Sequence, residues 1–189
     1  TLKQAYLKIG NDFKAAETFE LQNELYPAST NYNSIGVLYS NAGATDKAIE
    51  FYEKAIEENP HDKHAYANLG STLLYKKPKQ AKEYLQKALN IDPEHDIALI
   101  ELGKIDKSEG NTVAAQVKFR KAYDLYLKQW KTNSLPKYAY GWFATVAEEL
   151  GENNFAKEIR TSAPKTESEA YYNKENLSMT KTKALTNNN

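Results

Sequence analysis

Small and large apolar residues recur along this chain at a nearly fixed interval. Ala15, Ala48, Ala81, Ala115 and Ala156 each centre an amphipathic segment, at successive spacings of 33, 33, 34 and 41 residues. Four positions after the first four stand Phe19, Tyr52, Leu85 and Phe119, and Arg160 breaks the series in the fifth copy. Three positions further on come Ala55, Ala88 and Ala122, with Gln22 in the first copy. Residues at i, i+4 and i+7 share one face of a helix, so each segment predicts a helix with one apolar stripe.

A second amphipathic segment precedes each of these, marked by Ile35-Gly36, Leu69-Gly70 and Leu102-Gly103, with Tyr32, Tyr66 and Leu99 three residues earlier. Each period therefore predicts two helices. Gly10, Gly43, Gly110 and Gly151 stand five residues before their alanines, where the first helix ends in a left-handed residue that glycine adopts at little cost. Asp46, Thr112 and Asn153 are expected to cap the helix that follows. Pro27, Pro60 and Pro93 are expected to close the second helices, because proline cannot continue one.

These residues resemble the tetratricopeptide repeat family, whose unit of about 34 residues follows W-x2-L-G-x2-Y, then Ala, an aromatic and Pro. The best match is Ser29 to Asp62, with Tyr32, Ile35, Gly36, Tyr39, Gly43, Ala48, Tyr52, Ala55 and Pro60 at the family spacing. In the next unit Lys76-Lys77-Pro78-Lys79 replaces the turn glycine. The third has Asp106 in place of Tyr and no closing proline, so its second helix is expected to run on toward Trp130.

The resemblance implies an all-α, right-handed superhelical solenoid of antiparallel helix pairs, with about five units of which the first and last are incomplete. The units are expected at residues 1–28, 29–62, 63–95, 96–130 and 136–163, forming one array over 1–163. Residues 164–189 are polar. Within them Ala170, Tyr171, Lys174 and Leu177 have the spacing of a short capping helix, followed by a tail. One helix pair cannot bury its apolar face alone, so neighbours must stack.

In such families the first helices of successive units line a concave peptide-binding groove. By register, that face holds Asn33 and Val37, then His64, Ala67, Ser71, Leu74 and Tyr75, then Ile97, Ile100, Lys104 and Lys107. An apolar middle with a basic end would suit a peptide with apolar anchors and an acidic flank. The alternative is that Leu74, Ile97 and Ile100 simply pack together as core. Family members that grip chaperone C-termini carry a two-carboxylate clamp, and its positions hold Asn33, Val37, Asn68, Ile97 and Glu101 here. Only Asn68 fits, so no chaperone carboxylate clamp is expected.

Composition narrows the functional classes. The 25 basic and 25 acidic residues cancel, which leaves no electrostatic footprint for nucleic acid or for an anionic membrane. Helix-pair repeats can read RNA, and the 14 tyrosines could stack on bases, but most occupy positions the packing pattern explains. No nucleic-acid partner is expected. There is no cysteine, which excludes disulfides, thiolate zinc sites and cysteine nucleophiles. His61 and His64 have the spacing of a metal pair, yet their place after Pro60 fits helix capping better, and no metal or cofactor is expected.

No phosphate loop, nucleophile elbow or carboxylate pair stands out, so the expected role is a non-catalytic protein-interaction scaffold. Homodimerisation through the first unit, around Tyr6 and Leu7, is the competing reading. No apolar run approaches the roughly 20 residues that span a bilayer. Thr1 opens within a helical pattern and reads as the start of a fragment. The compartment stays open, with the cytoplasm slightly favoured.

Overall fold

The computed structural model describes residues 2–26 and 29–163, with the side chains of Ser29 and Thr30 excepted. The segment expected to form a capping helix and tail lies outside the described residues. Ten helices occur among those described: α1 (Leu2–Lys8), α2 (Asp12–Leu25), α3 (Ser29–Asn41), α4 (Thr45–Glu58), α5 (Lys63–Leu73), α6 (Pro78–Ile91), α7 (Asp96–Ser108), α8 (Thr112–Lys131), α9 (Ala139–Glu149) and α10 (Asn153–Ser162). Contacts divide the chain into one unit over residues 1–98 and a second over residues 99–189, with the boundary inside α7.

The turn chemistry follows from the glycines. Gly10, Gly43, Gly110 and Gly151 all have positive φ, between 70° and 84°. That geometry lets the next N–H reach back five residues: Asn11 donates to the Tyr6 carbonyl, Ala44 to Tyr39, Asn111 to Asp106 and Glu152 to Ala147, at 2.8–2.9 Å. The unit without the glycine closes differently, with the Lys77 N–H donating to the Leu73 carbonyl at 2.7 Å and Pro78 occupying the first turn of α6. Before the closing prolines, Asn59 and Asp92 turn to extended backbone, as a residue preceding proline must.

The expected caps at Asp46, Thr112 and Asn153 are not made. The N-cap positions are Ala44, Asn111 and Glu152, none with a side-chain cap bond. The glycine turn places the residue after next at the helix start, so these three fall inside the first turn, and Asp46 pairs with Lys76 at 3.2 Å. Side-chain caps form elsewhere: Asn11 accepts from the Lys14 N–H, and Asp62 from the N–H groups of His64 and Ala65, each at 3.0 Å.

In the first unit each helix packs on its successor, and α3 also meets α5. Its core joins Ala16, Phe19, Ile35, Tyr39, Ala48, Phe51, Tyr52, Leu69, Leu73 and Ala81. Tyr39 stacks on Phe51 at 5.5 Å and meets Phe13 edge-on at 5.6 Å. Its hydroxyl donates to Glu20 at 2.6 Å and accepts from Lys47 at 3.2 Å. Burial and Glu20 both push that phenol well above its ordinary range, and burial pushes Tyr52 up to about 12.

The repeating glycines Gly36 and Gly70 have a steric reason. A Cβ at Gly36 would lie 2.6 Å from the Tyr52 ring, and one at Gly70 2.7 Å from the Leu85 Cγ. The small residue of the first helix thus receives the large residue of the second, which is how helix axes come close.

The second unit uses the same device, with a Cβ at Gly103 reaching 2.6 Å from Phe119. Its α8 runs 20 residues to Lys131, as the missing proline predicts. Trp130 and Leu135 are buried, and Asn133 takes a left-handed φ of 55° to turn the chain toward α9. Trp130, Phe143 and Phe155 meet edge-to-face at 5.1–6.2 Å, with Tyr123 and Tyr126 against Phe143.

Candidate functional site

In the first unit, α3 and α5 are joined by an amide pair. Asn68 Nδ2 donates to Asn33 Oδ1 at 3.0 Å, which leaves both Asn33 Nδ2 hydrogens and the Asn68 oxygen for further bonds. Val37 and Leu74 are half-buried and pack their inner sides on the core. Ser71 Oγ, on α5, is buried with no hydrogen-bond partner. Tyr75 is 94% exposed.

Two expected groove residues prove to be core. Ala67 and Ile100 are both fully buried, so neither offers a side chain to a ligand. Ile97 is half-buried in the first turn of α7, where its N–H donates to Asp96 Oδ1 at 2.8 Å.

His64 has a partner that its position in sequence does not announce. His95 is 4% exposed. Its Nδ1 accepts from the Ala98 N–H at 3.4 Å, so its Nε2 carries the hydrogen and donates to His64 Nδ1 at 3.1 Å. A proton added to His95 Nδ1 would face the Ala98 N–H. Burial holds the His95 imidazole below its ordinary 6.5, and His64 and Lys63 press the same way, while Asp96 and Asp92 oppose them.

The unfolded chain therefore binds this proton more readily than the folded one. The stability this arrangement contributes is complete above about pH 6.5 and is lost as pH falls below it. Urea midpoints measured at about pH 7.5 and about pH 5.5 should show a smaller drop in His95→Asn, whose amide can still accept from Ala98 but does not titrate. An equal drop in both proteins would refute the coupling.

In the second unit the expected basic patch is already neutralised. Lys107 pairs with Glu149 at 2.6 Å. Lys104 pairs with Glu101 at 3.1 Å and lies over the Trp142 ring, 4.8 Å from its centroid. An acidic peptide flank would have to compete with both carboxylates, so the surface gives that preference no support. Glu101 is 4% exposed, and its Oε2 has no hydrogen-bond partner. Trp142 was invisible to the repeat pattern because the last unit departs from it; an aromatic beside buried Phe143 is the only signal the sequence carries.

Among the described residues no three His, Asp or Glu side chains are grouped to hold a metal ion. No helix among them is long and apolar enough to cross a membrane.

Comparison with known proteins agrees with this architecture. The tetratricopeptide repeat family model matches residues 31–62 and again 64–95. Human tetratricopeptide repeat protein 6 is 30% identical over 95 residues, covering 50% of this chain and 18% of that protein. The photosystem I assembly protein Ycf3 of Synechococcus sp. (strain CC9605) is 33% identical over 61 residues, covering 32% of this chain and 34% of that one. The chain thus spans about a third or less of these curated relatives.

A crystal structure of MamA superimposes with a TM-score of 0.58 at 19% identity, over 93% of this chain and 96% of that chain. MamA from Desulfovibrio magneticus RS-1 gives 0.57 at 18% identity, over 86% and 89%. These likenesses show an all-α, tetratricopeptide-like solenoid fold. With two matched repeats, four left-handed glycine turns and glycines packed in register against large side chains, the chain carries tetratricopeptide repeats over residues 31–62 and 64–95, of a family whose members bind protein or peptide partners.

Proposed function

We propose that this chain is a non-catalytic interaction scaffold that holds an extended peptide segment against α3 and α5. The observation that carries this reading is the Asn33–Asn68 amide pair across α3 and α5, with Val37 of α3 and Leu74 at the end of α5 both half-buried. Amides with unused capacity suit the N–H and C=O groups of an extended backbone. The neighbouring apolar side chains supply the desolvated contacts that carry binding energy.

Peptides selected from a random displayed library against the wild-type chain should lose binding by about tenfold or more to the variant Asn68→Ala, Leu74→Ser, once circular dichroism shows the helices intact. Peptides that bind both proteins equally would remove α3 and α5 from the proposal.

A second reading has its own observation. Leu2, Ile9, Leu21, Leu25 and Tyr26 in and after α1 and α2 are 62–74% exposed, an apolar face of the kind that copies of a chain cover for one another. In the same preparation, concentration-dependent sedimentation abolished by Leu21→Lys, Leu25→Lys would assign those helices to homodimerisation.

A further inference from the structure

We infer that Glu101 and Trp142, in the second unit, form a receptor for an arginine side chain of a partner protein, with Lys104 as its internal stand-in. These residues are separate from α3 and α5, so the inference does not rest on the peptide reading given above. The Glu101 side chain is 6% exposed, and among the described residues its one donor is Lys104, at Oε1. Its Oε2 is buried without a donor. An ammonium is a point charge and can serve one carboxylate oxygen at good geometry while leaving the other empty. A guanidinium presents a planar fork that bonds both oxygens at once.

The second wall of the receptor has the same preference. Lys104 lies over the half-buried Trp142 ring, a surface on which a flat guanidinium stacks better than an ammonium. Gly141, its neighbour in sequence, is exposed, and an added Cβ there would meet nothing within 4 Å. Lys104 itself is 34% exposed on a flexible stem, and it can swing into water without disturbing the core. Exchange of Lys104 for an incoming arginine keeps the charge balance at Glu101 and supplies the missing donor.

N-acetyl-argininamide, which carries the side chain without charged termini, is the probe. It is titrated into the full chain while the two tryptophan indole N–H signals are followed by NMR, with Trp142→Phe assigning them. The expected result is a saturable shift of the Trp142 signal with the buried Trp130 signal unmoved. Removing the internal competitor in Lys104→Ala should tighten the dissociation constant by about tenfold, and Glu101→Gln should abolish the shift.

N-acetyl-lysinamide should bind more weakly to every form. A Trp142 signal that stays still in both wild type and Lys104→Ala would overturn the inference, as would equal binding by Glu101→Gln. If Glu101→Gln fails to fold, the order of wild type and Lys104→Ala decides alone.

Discussion

Replacing Trp130 with alanine is expected to lower stability by about 3–5 kcal/mol, the range for removing a buried large aromatic. Trp130 is fully buried near the end of α8. It meets Phe155 of α10 at 5.1 Å and Phe143 of α9 at 6.2 Å, both edge-on. The hole would therefore open where three helices converge, and neither Phe143 nor Phe155 can collapse into it without disturbing the edge-on contact the two make with each other at 5.7 Å. Trp130→Phe, which keeps part of the volume, should lose less. Urea denaturation followed by circular dichroism measures both, and a midpoint unchanged in Trp130→Ala would mean the end of α8 is not packed as described.

Gly36→Ala should also destabilise, although alanine is the better helix former by about 1 kcal/mol. The new methyl would stand 2.6 and 2.7 Å from two carbons of the Tyr52 ring, and Tyr52 is itself 2% exposed. A buried ring has nowhere to swing, so overpacking of about 1–3 kcal/mol outweighs the propensity gain. Gly141→Ala is the matched opposite. It lies within α9 with nothing within 4 Å of the added carbon, so the propensity gain stands alone and stability should rise by up to about 1 kcal/mol. Thermal melts of the two variants are expected to move in opposite directions. A rise in both would show that the α3–α4 approach is looser than the 2.6 Å contact implies.

Most of the helix pairing is legible in the sequence, because it rests on local physics. A glycine at φ 70–84° closes a helix whatever surrounds it, and proline after Asn59 and Asp92 stops one. The alanine and aromatic series marked the faces that meet, and even the run-on of α8 followed from an absent proline. The capping residues were misplaced by a position or two, since the turn decides which residue sits at the helix start and side-chain type alone does not.

The candidate site was far less legible. Register put Ala67, Ile100, Lys104 and Lys107 on the first-helix face together with Val37 and Leu74, yet two of these six are buried and two are neutralised by carboxylates. A repeat pattern records which helix face a residue occupies. It cannot record how far the neighbouring helix covers that face.

The repeat and the glycine and proline stops of the helices can be read from the residues alone, because each depends on neighbours one turn or one helix away. Tertiary structure alone decided the pairings across repeats: His64 with His95, Asn33 with Asn68 and Lys107 with Glu149, separated by 31, 35 and 42 residues. It also left Glu101 buried with one oxygen unpaired beneath Lys104. Such contacts depend on the distance and rotation between stacked helices, which many side chains set jointly and no single period encodes.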